Sequence, residues 1–194
     1  MANPEHTPTM DSFDNFTVVL YRIGITLCAA TLLVGGLGRA MPIPELTMAS
    51  PWAPWALKTD PLLVVGIALS VSNVHLYAKV FRWVFSFTAW LGAVLLIGAP
   101  GTGDAARVIA CAGLGCLFVT LSAFALKERF CFRIPGLRMV PFLLAVATFA
   151  NLANATDAVA ITMGLSGLIL SLLAFQKWRM PLHFDVGDKS AYEI

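Results

Sequence analysis

Apolar residues gather into six runs, 18–38, 61–78, 83–99, 108–126, 139–155 and 158–176, and nearly every charge falls between them. Within the six runs the single charged residue is Arg22. Each run approaches the roughly 17–25 residues that a helix needs to cross a hydrocarbon core of about 30 Å. Lipid offers no water to backbone amides and carbonyls, so runs of this kind form helices, which satisfy those groups internally. The pattern predicts an all-α fold. It is that of a polytopic membrane protein whose single domain, residues 1–194, is a six-helix transmembrane bundle.

Composition supports the pattern and removes other classes. The chain is 58% hydrophobic and 12% charged, against about half and about a quarter in an ordinary soluble domain. The pieces between runs are too short to build a separate core. The first fifteen residues are polar and acidic, unlike the positive start of a cleavable signal peptide, so the first run is expected to serve as an uncleaved signal-anchor. A net charge of +2 with such short loops does not suggest nucleic acid as a partner; the expected partner is the lipid bilayer, together with other membrane protein subunits.

The 13 Lys and Arg residues orient the bundle. With six spans, one side receives Arg22, Lys79, Arg82, Lys127, Arg129, Arg133, Arg138, Lys177, Arg179 and Lys189. The other receives Arg39, Lys58 and Arg107. The positive-inside rule then puts both termini in the cytoplasm. Arg22, about one turn inside the first span, is expected to snorkel toward the cytoplasmic headgroups.

The segment Arg39 to Asp60 is expected to be an outer loop, broken by Pro42, Pro44, Pro51 and Pro54 and anchored by Trp52 and Trp55. Lys79 to Arg82 reads as a tight link between spans two and three. Pro141 suits the first turn of span five. Small residues mark close helix–helix seams: Ala160, Gly164, Gly167, Ser171 and Ala174 in span six, and Ala106, Ala110 and Gly113, with Cys111 and Gly115 beside them, in span four. Packing within one chain is the expected use of both.

Chemistry-bearing residues are few. Ser70, Asn73 and Tyr77 share a face of span two with Gly66, which reads either as a polar track for a small ligand or as interhelical hydrogen bonding. His75 is the only histidine inside a run. A lone intramembrane histidine suits an axial ligand to a haem or chlorophyll-type pigment, or a hydrogen-bonded residue at the interface, and the second is preferred. No other cofactor and no metal set is expected. The connection after span four places Lys127, Glu128, Arg129, Cys131, Phe132 and Arg133 together. Nearby cations lower a thiol pKa, so Cys131 is a candidate reactive cysteine, beside the plainer reading of a topology anchor or interaction loop.

Four short motifs occur in order: Tyr21-Arg22, His75-Leu76-Tyr77, Lys127-Glu128-x-x-Cys131-Phe132 and Gly187-Asp188-Lys189-Ser190. On these the chain resembles an uncharacterised family of bacterial integral membrane proteins, common in cyanobacteria and proteobacteria, from about residue 16 to the C-terminus. The resemblance implies an integral membrane protein and carries no activity, cofactor or catalytic residue. Its occurrence in photosynthetic lineages adds a photosynthetic membrane as a conceivable location. The functional expectation is a non-enzymatic accessory or assembly factor of a membrane protein complex. The alternative is a small-solute transporter or channel, with Asn73, Asn151 and Asn154 along its path. An enzyme using Cys131 or His75, with His183 approaching as base, is the reading least supported.

Overall fold

A computed structural model describes residues 10–40, 60–74, 79–98 and 104–186. Among these residues six helices of 13 to 29 residues form, with no strand: α1 (Ser12–Ala40), α2 (Asp60–Ser72), α3 (Lys79–Gly98), α4 (Asp104–Arg129), α5 (Val140–Leu152) and α6 (Thr156–Arg179). A 3-10 turn (Leu137–Met139) leads into α5, and a short helix α7 (His183–Val186) follows α6. The all-α, multi-helix membrane architecture expected from the apolar runs is present.

Local chemistry sets several helix ends. Asp11 precedes α1 and accepts from the Asp14 amide at 2.7 Å, while Asp14 accepts from the Asp11 amide at 3.0 Å. This reciprocal cap satisfies two amides that the helix leaves open. Pro141 falls in the first turn of α5, as expected. At the other end of α5, Asn154 adopts φ 57°, the Ala155 amide reaches the Ala150 carbonyl at 2.8 Å, and the Asn154 amide reaches Asn151 at 3.2 Å. That paired return is a Schellman cap, with asparagine in the left-handed position that few residues other than glycine tolerate.

Two boundaries depart from expectation. Span two was expected over 61–78, but α2 ends at Ser72, with a turn at Asn73 whose amide bonds the Ser70 carbonyl at 3.4 Å. The supposed link Lys79 to Arg82 is instead the first turn of α3. Apolar periodicity cannot mark a helix end that falls inside an apolar run, because both sides of the break are equally insoluble in water. Four helices, α1, α3, α4 and α6, are long and apolar enough to cross a membrane; α2 and α5 are shorter apolar helices. Thirteen residues rise about 20 Å, short of a full crossing. Most of the expected outer loop, including Trp52 and Trp55, lies outside the described residues.

Each helix packs on its neighbour in sequence, and α6 returns against α1, so the six close into a ring. The seams rest on glycine. A Cβ at Gly36 of α1 would stand 2.5 Å from the Gly164 amide nitrogen of α6, and one at Gly167 would stand 2.4 Å from that of Leu33. On the other flank of α1, a Cβ at Gly24 would meet the Gly66 carbonyl oxygen of α2 at 2.5 Å. Gly92 of α3 faces Gly113 of α4 in the same way, and Gly115 faces Thr148 of α5. The small-residue stripes of spans four and six are therefore seams within the chain. Outward, large apolar side chains stay uncovered, among them Phe87, Trp90, Val94 and Ile97 of α3 and Phe142 and Phe149 of α5. An uncovered set of large apolar side chains of this extent fits hydrocarbon, not water.

Replacing Gly167 by alanine is expected to cost about 1–3 kcal/mol through overpacking, read as a lower unfolding midpoint in detergent. Gly38→Ala, whose new methyl meets nothing within 4 Å, is expected to leave that midpoint unchanged or raise it.

Candidate functional site

Charge collects at one end of the bundle. Arg22 sits almost three turns inside α1 and is 2% exposed. It does not snorkel outward, as the sequence had suggested. Its Nε donates to Asp185 Oδ2 of α7 at 2.7 Å, and Nη2 lies 2.6 Å from the same oxygen. Nη1 donates to the Met180 carbonyl at 2.8 Å and Nη2 to the Pro181 carbonyl at 3.0 Å. The guanidinium thus holds the chain just past α6 by three of its oxygens. The physical reason is depth: an arginine this far along a packed helix finds partners closer at hand than the headgroups.

Lys177, in the last turn of α6, is 1% exposed. Its ammonium donates to Glu128 Oε2 of α4 at 3.0 Å and to Asp185 Oδ1. It also lies 5.0 Å from the centre of the Tyr21 ring and 5.3 Å from that of Phe132, close enough for cation–π attraction. Tyr21 donates its hydroxyl to Glu128 Oε1 at 2.6 Å, and Lys127 approaches the same oxygen at 3.2 Å. Below this layer the Tyr21, Phe124 and Phe85 rings stack edge to face, at 5.9 and 5.7 Å between centres. The cluster therefore ties α1, α4, α6 and the segment after α6 into one charge-paired unit.

The sequence-predicted candidates separate against this geometry. Lys127, Glu128 and Phe132 belong to the cluster. Arg129 and Arg133 are exposed and lie outside its ion pairs among the described residues. Ser70 is fully buried, but its hydroxyl donates to the Gly66 carbonyl of its own helix at 2.9 Å, and the face it shares with Gly66 is closed by Gly24. Asn73 donates to the Leu69 carbonyl at 2.8 Å. That stripe is a packing seam at Ser70 and a helix end at Asn73. Tyr77 and His75, the latter with its haem or pigment reading, lie outside the described residues.

Sequence reasoning did not single out Lys177 or Asp185. The signal was present in Arg22, the single charge inside the six runs, which needs an acidic partner wherever it is buried.

Cys131 follows the turn that ends α4, where its amide donates to the Glu128 carbonyl at 3.0 Å. The residue is exposed overall, yet burial around the thiol and the Glu128 carboxylate raise its pKa, outweighing the lowering pull of Lys127 and Lys177. This reverses the expectation of an activated thiolate: the carboxylate sits among the cations and takes up their field. No hydrogen bond joins Cys131 to His183 among the described residues; the His183 ring stacks on Phe184.

Comparison with known proteins fits this picture. A family model described as uncharacterized integral membrane protein (DUF2301) matches residues 69–194. The chain belongs to that family. A curated relative from Haemophilus influenzae, carried as an uncharacterized protein, is 33% identical over the whole of both chains. No solved structure matches. The family match takes in Lys127, Glu128, Lys177 and Asp185, whereas Tyr21 and Arg22 precede it and fall within the full-length likeness to the relative. This is an integral, multi-pass membrane protein, as the resemblance had implied.

Removing one member of a buried pair leaves the other charge uncompensated, at about 3–5 kcal/mol. Asp185→Asn and Arg22→Gln are each expected to lose that much in detergent unfolding, and the double variant less than the sum. Maleimide labelling of Cys131, with Cys131→Ser as blank, should be slower at neutral pH than labelling of a free thiol and should keep rising with pH beyond the range where an ordinary thiol levels off.

Proposed function

We propose that this protein is a non-enzymatic accessory or assembly factor of a membrane protein complex in the bacterial inner membrane, with its six helices embedded there, the long ones crossing it, and both termini cytoplasmic. The observation that carries the reading is how its internal polar groups are used. The buried charges of the cluster pair with one another. The hydroxyls of Ser70, Thr148, Thr162, Ser166 and Ser171 donate to carbonyls of their own helices at 2.6–3.0 Å. Thr88 and Thr120 bond each other at 2.8 Å, joining α3 to α4. Groups engaged in this way, within one helix or between neighbours, leave little for a substrate to bind.

A transporter needs polar groups along a common path. Asn73, Asn151 and Asn154 do not supply one. Asn73 ends α2 near the charged cluster, and the other two form the Schellman turn at the opposite end of the ring. The cationic loop after α4, and the uncovered apolar side chains, instead offer surfaces that suit lipid and neighbouring membrane subunits.

Purification from native membranes in mild detergent, with an absorption spectrum of the eluate, tests the reading. A stoichiometric membrane protein that copurifies is the expected result. Strict monomeric migration with no partner overturns it. Specific solute uptake into liposomes that is abolished by Asn73→Ala would establish the transporter instead, and a visible pigment band would turn attention to His75.

A further inference from the structure

The segment from Lys127 to Arg138 carries four cations and one carboxylate, Glu128. The fold sorts those charges. Glu128 turns inward, its side chain 3% exposed, and its oxygens are taken by Tyr21, Lys127 and Lys177. Asp185, the nearby carboxylate of the segment after α6, has its side chain 7% exposed and held by Arg22 and Lys177. Burial of both acids leaves the exposed charges of the 129–138 connection all cationic. Arg129, Arg133, Arg138 and Arg179 are exposed, and no ion pair among the described residues engages them.

Phe130 stands among these arginines and is 75% exposed. Buried neighbours alternate with the exposed residues: Phe132, Ile134 and Leu137 pack into the core, which fixes the loop against the bundle. The patch therefore lies where the long apolar helices α4 and α6 end, at the depth of lipid headgroups. An aromatic ring at that depth suits the boundary between headgroups and acyl chains. Clustered cations beside a spanning helix attract anionic lipid over short range, and arginine grips a phosphate by two parallel donors.

We infer that the exposed face of the 129–138 connection, with Arg179, is a binding site for anionic phospholipid headgroups, which the inward turn of Glu128 and Asp185 creates. The occupant is the phosphate of a membrane lipid. The patch is carried at the membrane surface, and Phe130 supplies the apolar contact that a water-soluble anion would not use.

The test is electron paramagnetic resonance on the full chain in phosphatidylcholine vesicles, comparing spin-labelled phosphatidylglycerol with spin-labelled phosphatidylcholine. A severalfold preference for immobilised phosphatidylglycerol is expected, falling as salt is raised. Arg129→Gln/Arg133→Gln/Arg138→Gln should abolish the preference, and Arg107→Gln at the opposite end should preserve it. Arg133→Gln and Arg138→Gln, singly and at exposed positions, should each lower it with an unchanged unfolding midpoint, so the inference does not depend on the triple variant folding. Equal immobilisation of the two lipids, or a preference that survives the arginine substitutions, overturns it.

Discussion

A buried guanidinium has to be neutralised where it lies, and much of one end of this bundle is organised by that demand. Arg22 is carried deep into α1, as the single charge of the stretch 18–38. Its partners come from the far end of the chain, the Asp185 carboxylate and the carbonyls of Met180 and Pro181. Through Asp185 the requirement passes to Lys177, through Lys177 to Glu128, and through Glu128 to Tyr21, which stands one residue before Arg22 in α1. The chain of contacts closes on itself. Such a network adds little net stability over a well-packed apolar core, because each ion gave up its hydration, but a missing member is severely destabilising. Its effect is to admit one relative setting of α1, α4 and α6.

Glycine seams make that setting possible. Between helices in lipid there is no hydrophobic drive to associate, so attraction depends on how closely backbones approach. Gly24, Gly36 and Gly167 let α1 lie against α2 on one flank and α6 on the other at distances that no side chain would permit. Slipping α1 along this double seam would place Arg22 opposite apolar residues, while rotating it would drive side chains into the seams. Charge pairing and close packing thus constrain different motions of the same helix, translation and rotation, and together they leave it little freedom.

The same arrangement bears on function through what it removes from the surface. With both acids of the cluster turned inward, the exposed side of the loop after α4 is cationic and aromatic, whereas the interior is engaged with itself. Hydroxyls bond to their own helices, and Asn73 bonds its own α2 backbone at a helix end. A molecule built this way meets its surroundings at its rim and its uncovered apolar side chains, which is why an accessory role suits it better than passage of a solute through its centre.

The sequence by itself determined that this chain is an all-α, multi-pass membrane protein. Apolar runs long enough for lipid, with charges confined to their ends, leave the backbone no other solution. It also marked Gly164, Gly167 and Gly113 as seam residues, since small side chains at helical spacing have one strong use in lipid. Tertiary structure decided the rest. Helix ends such as Ser72 fall inside apolar runs, where hydropathy is blind to them. The fate of Arg22 depended on Asp185, 163 residues away in sequence, and a charge pattern along a line does not state which opposite charges meet. Whether Glu128 offsets the cations of its own loop or leaves them exposed, and hence whether the Cys131 thiol is activated or quieted, followed from the direction of one side chain. That direction was set by Lys177 on another helix, because a buried carboxylate turns to the nearest buried cation.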